Sequence, residues 1–438
     1  MRTLVLFTRD LRVHDHPALT EAVRSSDEVV PLFVLDPALL RISPNRSRFL
    51  IEGLHDLHGS LRERGGRLVL RHGDVATTAV AVARVQGVDR VVVTADVSAN
   101  ARRRERRLGE GLATDGIELR VLPGHAIVEP GELAPAGRDA YVVFTPYHRV
   151  WAAAPRRSVL SAPTSVPVPA DIVSDPLPDP RSIGAEALDL PTGGERAGRR
   201  RLEKFLRTGA RTYDGIRNDP AADVTSRLSP YLRFGFVSAT EVAQRAARVQ
   251  GSGGFVRQLA WRDFFGQLLW HDPRLAWQDL REAPALQPPS LDPELALKLW
   301  KEGMTGLPLV DAGMRQLRRE GWIHNRVRMV VASFLTRRLG VPWQEGAEHF
   351  TRWLVDGDPA NNAGGWQWVA GTGTDPRRSR SFNPVRQARR FDPNGDYVRR
   401  YVRELRGVEG PLVSAPWRDA TLLQSRGYPE PVCPVPDR

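Results

Sequence analysis

The most informative stretch of the chain is residues 356–368, which read Asp-Gly-Asp-Pro-Ala-Asn-Asn-Ala-Gly-Gly-Trp-Gln-Trp. Two acids, three amides and two tryptophans fall within these thirteen residues. The glycines between them let backbone approach a ligand closely. Such a segment can hold a planar cofactor by its polar edge while aromatic rings stack nearby. Taken alone, it is more typical of a polar loop that leads into an aromatic core segment, so the rest of the chain has to decide.

The composition is that of a large protein with its own hydrophobic core. With 438 residues, of which 41% are hydrophobic, the chain is long enough for two or three domains. A single cysteine, Cys433, excludes an internal disulfide framework and fits a reducing cytosol, so we expect a cytoplasmic protein. The first residues become charged too early for a signal peptide, and no apolar run reaches about 18 residues, so neither export nor a membrane span is expected.

The charge balance is strongly basic. The formal net charge is +12 and the sequence pI is about 10.6, and arginine supplies most of the positive charge. Arginine grips phosphates through a planar fork of donors, which favours a polyanionic partner such as nucleic acid. GC-rich coding also enriches arginine regardless of function, so the charge alone leaves the partner open.

The first third of the chain predicts an α/β domain over residues 1–125. Short apolar runs alternate with amphipathic, helix-length segments such as residues 46–64 and 101–113. This rhythm is typical of a doubly wound parallel sheet with helices on both faces. The runs predicted to be strands are residues 4–7, 29–35, 68–70, 91–94 and 119–122.

The remainder predicts a connector followed by an all-α domain. Residues 126–194 lack periodicity, and six prolines between Pro163 and Pro180 indicate an extended linker. From residue 195 to residue 438 the pattern is helical. The predicted helices are residues 200–207, 237–248, 255–270, 295–301, 309–320, 327–338 and 345–354.

Three polar segments of the helical part have a composition suited to binding. Residues 225–229, Thr-Ser-Arg-Leu-Ser, supply hydroxyl and backbone N–H groups of the kind that cage a phosphate, although taken alone they are more typical of a helix cap. On a helix, Gln258, Trp261 and Arg262 share one face. The same spacing argument places Asn325, Arg328 and Met329 together on another helix.

With these residues in view, the chain resembles the class I photolyases of the photolyase and cryptochrome family over nearly its whole length. The fold and function implied by that resemblance are an N-terminal α/β antenna-binding domain, an all-α domain that binds a folded FAD, and light-driven DNA repair. The motifs that carry the resemblance are residues 8–12 (Thr-Arg-Asp-Leu-Arg), 143–147 (Val-Phe-Thr-Pro-Tyr), 305–315 and 324–375.

The resemblance implies a set of FAD-binding residues. Arg328 and Asp356 match an ion pair beside the isoalloxazine ring, Asp358 matches an acid near its polar edge, and Asn362 matches the residue that faces flavin N5. An amide at that position can hydrogen-bond N5 or N5–H and so favour reduced flavin. The remaining positions that match FAD contacts are Tyr213, Thr225, Ser226, Arg227, Leu228, Ser229, Gln258, Arg262 and Asn325.

The resemblance also implies a substrate, UV-damaged DNA. Excited reduced FAD would donate an electron to a cyclobutane pyrimidine dimer flipped out of the duplex, and the electron would return after the ring opens; base flipping by photolyases is an established example. No metal is expected to take part, and neither is an obligate protein partner, so we expect a monomer. The positions that match lesion contacts are Gln258, Trp261, Asn325, Met329 and Trp368, and those that match phosphate contacts at the rim are Arg217, Arg326 and Arg380.

Gln258 departs from the class I pattern, because many of those enzymes carry a glutamate there. A glutamine is more usual in (6-4) photolyases and in cryptochromes, and it cannot carry charge or share a proton. Asn325 and Met329 nevertheless occupy the places where (6-4) photolyases have two histidines. We therefore expect cyclobutane dimer repair, with a (6-4) photolyase or a cryptochrome-like blue-light sensor as alternatives.

The electron-transfer tryptophans are incomplete. Trp366 and Trp343 match the proximal and middle members of the family's tryptophan chain, but the distal position falls at Ser290, where no aromatic stands. Trp300 matches another family tryptophan and could substitute. A second chromophore is also expected in the α/β domain: Asn100-Ala101 stands where folate binders tend to have Asn-Glu, which favours 8-hydroxy-5-deazaflavin over methenyltetrahydrofolate as the antenna.

Overall fold

The computed structural model describes residues 1–283, 291–374 and 381–434. Its contacts divide the chain into two compact units, each of which is discontinuous in sequence. The first unit comprises Met1–Ala185, Pro191–Arg211 and Ser226–Pro273, and the second comprises Glu186–Leu190, Thr212–Thr225 and Arg274–Arg438. The sequence predicts consecutive domains at residues 1–125, 126–194 and 195–438 instead, and that division stays a prediction.

The first unit contains a parallel sheet of five strands in the order β3-β2-β1-β4-β5, which confirms the predicted doubly wound α/β fold. Each predicted strand is present, with ends that differ by one or two residues. The strands are β1 (Arg2–Phe7), β2 (Glu28–Leu35), β3 (Val69–His72), β4 (Arg90–Thr94) and β5 (Glu118–Leu122).

Burial along the strands follows from their positions in the sheet. The central strand β1 pairs with both β2 and β4, and residues 3–7 are buried on both faces because helices cover the sheet on each side. The edge strand β5 alternates charged and apolar residues, and Glu118 is exposed. Charges on an edge strand discourage pairing with another chain.

Within the described residues the α-helices are, in chain order, α1 (Pro17–Ser25), α2 (Pro37–Ile42), α3 (Pro44–Arg62), α4 (Val75–Val85), α5 (Ala99–Ala113), α6 (Phe144–Ala153), α7 (Glu195–Thr208), α8 (Tyr213–Ile216), α9 (Ser229–Arg233), α10 (Ala239–Ala247), α11 (Gly253–His271), α12 (Pro293–Glu302), α13 (Pro308–Glu320), α14 (Asn325–Arg337), α15 (Trp343–Trp353), α16 (Pro359–Ala370), α17 (Pro384–Phe391), α18 (Asp396–Tyr401) and α19 (Ala420–Arg426). Short 3-10 helices cover Pro180–Ser182, Pro273–Ala276, Arg403–Leu405, Gly410–Ser414 and Pro416–Arg418.

The predicted linker at residues 126–194 contains α6 and one 3-10 helix in addition to extended chain. Its proline-rich part is extended but bound to the first unit rather than free. The Val29 backbone N–H donates to the Pro167 carbonyl at 2.7 Å, and the Val166 N–H donates to the Arg64 carbonyl at 2.9 Å. Proline lacks a backbone donor but keeps its carbonyl, so this segment is held both by the Pro167 carbonyl and by the N–H of the non-proline residue Val166.

The second unit is helical, and its core is built around α13, α14, α15 and α16. The quoted stretch at residues 356–368 is not a polar loop, since most of it forms α16. Asp358 caps the start of this helix by accepting from the Asn361 backbone N–H at 3.0 Å, and Pro359 occupies its first turn. The helix ends at Gly371, whose φ of 78° is left-handed.

Helices α15 and α16 approach closely because α15 has a glycine where Trp366 packs. A Cβ on Gly346 would lie 2.2 Å from a ring carbon of Trp366, which is far inside van der Waals contact. Trp366 is only 3% exposed, so it cannot move aside into solvent. The glycine therefore sets the distance between the two helices.

We predict that Gly346→Ala destabilises the protein by ~1–3 kcal/mol, because the added methyl group overpacks the core against Trp366. The matched control is Gly59→Ala in α3, where a Cβ would meet nothing within 4 Å. Alanine there should stabilise the protein by about 0.5–1 kcal/mol through its higher helix propensity. Urea unfolding of both variants measures the difference, and equal midpoints would contradict the packing argument.

Candidate functional site

The predicted site residues divide between the two units. The first unit holds Ser226, Arg227, Leu228, Ser229, Gln258, Trp261 and Arg262. The second holds Tyr213, Arg217, Thr225, Asn325, Arg326, Arg328, Met329, Trp343, Asp356, Asp358, Asn362, Trp366 and Trp368. Arg380 and the distal electron-transfer position, Ser290, lie outside the described residues.

Arg328 and Asp356 form the predicted ion pair in the second unit. The Arg328 Nη2 donates to Asp356 Oδ2 at 2.7 Å, and its Nε donates to the Ile323 carbonyl at 2.8 Å. Asp356 is 7% exposed, and its other carboxylate oxygen, Oδ1, is buried without a hydrogen-bond partner among the described residues. A buried carboxylate oxygen is costly to leave unpaired, which makes this atom a candidate acceptor for a donor from a ligand.

Asn362 is held in one orientation by α15. Its side-chain nitrogen Nδ2 donates to the Ala347 carbonyl at 2.9 Å and to the Thr351 hydroxyl at 3.1 Å. Both amide protons are therefore used within the protein. The side-chain oxygen Oδ1 is the atom that remains to bind a ligand, and it can only accept.

Tyr213 and Asp358 add two further polar groups to this unit. Burial raises the pKa of Tyr213 to about 12, so its hydroxyl stays protonated and can donate to an anion. The Arg217 guanidinium lies 5.9 Å from the centre of the Tyr213 ring. Asp358 is buried at the start of α16, where it also accepts from the Asn361 side-chain nitrogen at 2.8 Å.

The residues of the second unit fit a flavin. The unpaired oxygen of Asp356 can accept an N–H group, the Arg328 cation beside it can balance a negative ring, and the Asn362 oxygen can accept a second N–H group. Hydrogen-bond acceptors and a cation are groups that can bind a reduced isoalloxazine ring.

Asn325 and Met329 lie next to each other on α14, as their spacing predicts. The Asn325 side-chain nitrogen is 3.9 Å from the Met329 sulfur, and Asn325 is exposed at the first position of the helix. Arg326 is fixed by a 2.8 Å hydrogen bond to Asn218 and by the Phe391 ring, which lies 4.6 Å from its guanidinium carbon. A polar group, an apolar group and a fixed cation thus occupy one end of α14.

In the first unit, the Trp261 ring stacks on the ring of Phe144, a residue to which the sequence assigns no role in the site. Its ring lies 3.7 Å from that of Phe144, with only 7° between the planes. The Arg257 guanidinium covers the Phe144 ring at 4.9 Å. Phe144 belongs to the family motif at residues 143–147, but its position in that motif gives no sign that it supports Trp261.

Residues 226–229 adopt an unusual backbone. Arg227 has a φ of 48°, in the left-handed region that non-glycine residues seldom enter. The Ser226 carbonyl accepts from Arg201 at 2.8 Å, and the Ser226 hydroxyl accepts from the Leu228 N–H at 3.3 Å. Backbone of this kind clusters at ligand clamps, which is consistent with a binding segment.

Arg262 is engaged with protein groups of its own unit. It donates to Asp263 at 3.2 Å and approaches the His125 ring nitrogen at 3.1 Å. Asp263 is buried and accepts from the Trp151 indole at 3.0 Å. Nearby, burial raises the pKa of Glu129 to about 7, even though the Gly124 N–H donates to it. The predicted role of Arg262 at FAD stays a prediction.

A charged pair marks the switch point of the sheet, between β1 and β4, where open α/β sheets bind ligands. Arg9 follows β1 and Asp96 follows β4, and their side chains meet at 3.3 Å. Burial alone would raise the pKa of Asp96, but the charges of Arg9, His125 and Arg104 outweigh burial and lower it. Asn100 lies in the first turn of α5, beside this edge.

The two predicted electron-transfer tryptophans of the described residues are both buried. The Trp343 indole N–H donates to Asp279 at 2.6 Å, and Trp343 begins α15. Trp366 contacts the rings of Trp300 and Phe350, at 6.1 and 5.0 Å between ring centres. All four rings belong to one hydrophobic core.

Two family models match the chain: DNA photolyase over residues 3–170, and the FAD binding domain of DNA photolyase over residues 255–437. A deoxyribodipyrimidine photo-lyase of Streptomyces griseus is 49% identical, with 98% of this chain and 95% of that protein covered. This chain belongs to the photolyase/cryptochrome family.

Solved structures of the photolyase/cryptochrome family match the fold closely. A class III photolyase from Agrobacterium tumefaciens has a TM-score of 0.89 at 32% identity, and covers 99% of this chain and 94% of that one. A cryptochrome from Synechocystis has a TM-score of 0.90 at 30% identity, and covers 99% and 97%. The similarity therefore establishes the family and its FAD-binding domain, rather than class I membership.

This photolyase/cryptochrome family member has no helix in its described ranges that is long and apolar enough to cross a bilayer. The name of the Streptomyces griseus relative gives deoxyribodipyrimidine as the compound on which that protein acts.

We predict that the protein loses stability as pH rises from about 4.5 to about 7, because the folded state binds the Glu129 proton more tightly than the unfolded state does. Glu129→Gln should flatten this part of the profile by ~1–3 kcal/mol, since glutamine still accepts from Gly124 without ionising. Urea unfolding at several pH values measures the effect. A profile that keeps its slope in the variant would assign the pH dependence to another group.

Proposed function

We propose that this protein is a class I photolyase that repairs cyclobutane pyrimidine dimers in DNA. Bound FAD, reduced and excited by blue or near-UV light, would supply the electron that opens the cyclobutane ring. The protein residues bind the lesion, hold the cofactor reduced and keep water from the reacting groups.

The observation that carries the proposal is the orientation of Asn362. Because its amide nitrogen donates to Ala347 and Thr351, its oxygen is the atom left to accept a hydrogen bond from a ligand. An acceptor pairs with a protonated N5, which only the reduced ring has, and it offers nothing to the unprotonated N5 of the oxidised ring. Repair needs the reduced cofactor, so this geometry supports a repair enzyme over a sensor that works from the oxidised state.

The lesion-binding residues have the properties that a flipped pyrimidine dimer needs. Trp261 is held by Phe144 on one face, so its indole can stack on a base without first losing rotational freedom. Asn325 and Met329 offer a polar and an apolar contact within one turn of α14. Gln258 is one helical turn before Trp261, on the same side of α11, and can bond a base edge as donor and acceptor.

Arginines supply the sequence-independent part of DNA binding. Arg326 and Arg217 stay partly exposed although each is held by neighbours, so they can contact phosphates without a large loss of side-chain entropy. Arg380 is proposed for the same role. We propose that the Arg9–Asp96 edge of the first unit takes the antenna, 8-hydroxy-5-deazaflavin rather than methenyltetrahydrofolate, because Asn100 is followed by alanine and not by an acid.

The proposed function predicts that the chemically reduced protein, under blue light, restores thymines in an oligonucleotide with a cyclobutane dimer and leaves a (6-4) lesion intact. Chromatography of the digested oligonucleotide measures both products. A dark sample is the control for light dependence, and Gln258→Glu, which restores the glutamate of many class I enzymes, should raise the yield. Repair of the (6-4) lesion alone would replace the proposal with a (6-4) photolyase, and repair of neither would favour a light sensor.

The orientation of Asn362 has its own test. We predict that Thr351→Val, which removes one of the two acceptors of the amide, weakens reduced-flavin binding by ~1 kcal/mol relative to the oxidised form. Thr351→Ser keeps the hydroxyl and is the matched control. The midpoint potential should fall in the valine variant and stay near the wild-type value in the serine variant. Equal potentials for both would mean that Thr351 does not position the amide.

A further inference from the structure

The family's distal tryptophan position is Ser290 in this chain, so the resemblance does not identify the residue that passes electrons from solvent towards Trp366. The second unit has four tryptophans that are at least partly exposed, namely Trp277, Trp353, Trp368 and Trp417. Trp277 and Trp353 lie nearest in the contact network to Trp343 and Trp300. Trp277 is 54% exposed and lies two residues before Asp279, the partner of Trp343. Trp353 is partly exposed at the end of α15. Trp277 therefore lies near Trp343 at the start of α15, whereas Trp353 lies at the opposite end of the same helix.

Ring contacts connect Trp366 to Trp353. The ring centres of Trp366 and Trp300 are 6.1 Å apart, and those of Trp300 and His349 are 5.6 Å apart. His349 is in turn 6.2 Å from Trp353. Within the described residues no comparable series of ring contacts leads from Trp366 to Trp277.

Trp300 is suited to an internal relay. It is fully buried, and its indole N–H donates to the Val331 carbonyl at 3.0 Å. The carbonyl stabilises a positive charge on the indole while the buried position gives its proton no path to water. An indole oxidised here would therefore be refilled rather than trapped.

His349 connects the two indoles without adding charge. Burial, together with the charges of Lys301, Arg318 and Arg352, lowers the pKa of His349 to about 3, so the imidazole is neutral. A protonated imidazole between the rings would repel a positive hole as it passed. A neutral imidazole imposes no such electrostatic barrier to electron transfer between Trp353 and Trp300.

The surroundings of Trp353 favour conversion of its oxidised indole to a neutral radical by loss of the N–H proton. The Arg318 guanidinium carbon lies 5.9 Å from its ring centre, and a cation there disfavours an indole radical cation and favours release of the N–H proton. Partial exposure gives that proton water as an acceptor. Trp343 has the opposite setting, since the Asp279 carboxylate at 2.6 Å stabilises the positive indole and holds its proton.

We propose that Trp353 is the surface electron donor of this protein, and that it refills Trp366 through Trp300 and across His349. One electron moves inward from Trp353 to the oxidised, light-excited flavin of the proposed function, on whose presence the inference rests. The Trp353 indole proton goes to water, and the neutral indole radical is restored by a hydrogen atom from a thiol in solution. Two thiyl radicals then combine as a disulfide.

The test is anaerobic photoreduction of the flavin in purified, oxidised holoprotein, under blue light with dithiothreitol. Trp353→Phe and Trp300→Phe should slow the loss of oxidised-flavin absorbance by about tenfold, equivalent to ~1.4 kcal/mol in activation free energy. Trp353→Tyr should recover most of the rate, since a phenol can also lose an electron and a proton. Trp277→Phe, the matched exposed control, should photoreduce at the wild-type rate.

The outcomes separate the two routes. A wild-type rate in Trp353→Phe, or a larger loss in Trp277→Phe, overturns the inference and assigns the surface donor to the side of Trp343. Flavin content is measured in each variant. If Trp353→Phe binds less flavin, Trp353→Tyr and Trp300→Phe are compared instead. A near wild-type rate in Trp353→Tyr with a slow rate in Trp300→Phe supports the inference, and equal rates in these two variants overturn it.

Chemical reduction separates this inference from the proposed function. Reduced with dithionite, Trp353→Phe should repair cyclobutane dimers as well as the wild type, because the electron supply is then bypassed. Failure of both dithionite-reduced proteins to repair would reject the proposed function, whereas the photoreduction rates would still test Trp353.

Discussion

The packing of Trp366 against Gly346 is the constraint on which the rest of the second unit depends. It brings α16 so close to α15 that the Asn362 amide, one turn earlier on α16, reaches both Ala347 and Thr351. The start of α16 is fixed separately, by Asp358 as its cap. The absence of a side chain at Gly346 thus allows the helix approach in which both amide protons of Asn362 are used within the protein.

Much of the fold follows from pattern alone. Buried apolar runs and helical periodicity locate all five strands of the sheet and the long helices α11, α13 and α14 to within a few residues. Residues 356–368 are harder, because glycines and asparagines have low helix propensity and a loop is the better local interpretation. Tertiary packing of Trp366 and the cap at Asp358 override that propensity.

The site is predictable only in part. The Arg328–Asp356 pair and the Asn325–Met329 contact could be expected, one from resemblance and the other from helical spacing. The support of Trp261 by Phe144 and the meeting of Arg9 with Asp96 could not, because each joins segments that are distant in sequence and whose contact depends on the fold. The binding of the proline-rich segment to the first unit could not be predicted either, because backbone hydrogen bonds leave no pattern in the amino-acid sequence.

The discontinuous division of the chain has a consequence for its synthesis. The first unit is complete once residue 273 has emerged from the ribosome, whereas the second needs nearly the whole C-terminal half together with residues 186–190 and 212–225. Residues 186–190 and 212–225 are therefore synthesised before residues 274–438, the part of the second unit with which they pack. Domains generally form in order of emergence, so a vectorial pathway is built into the connectivity, with the nascent α/β part organised first.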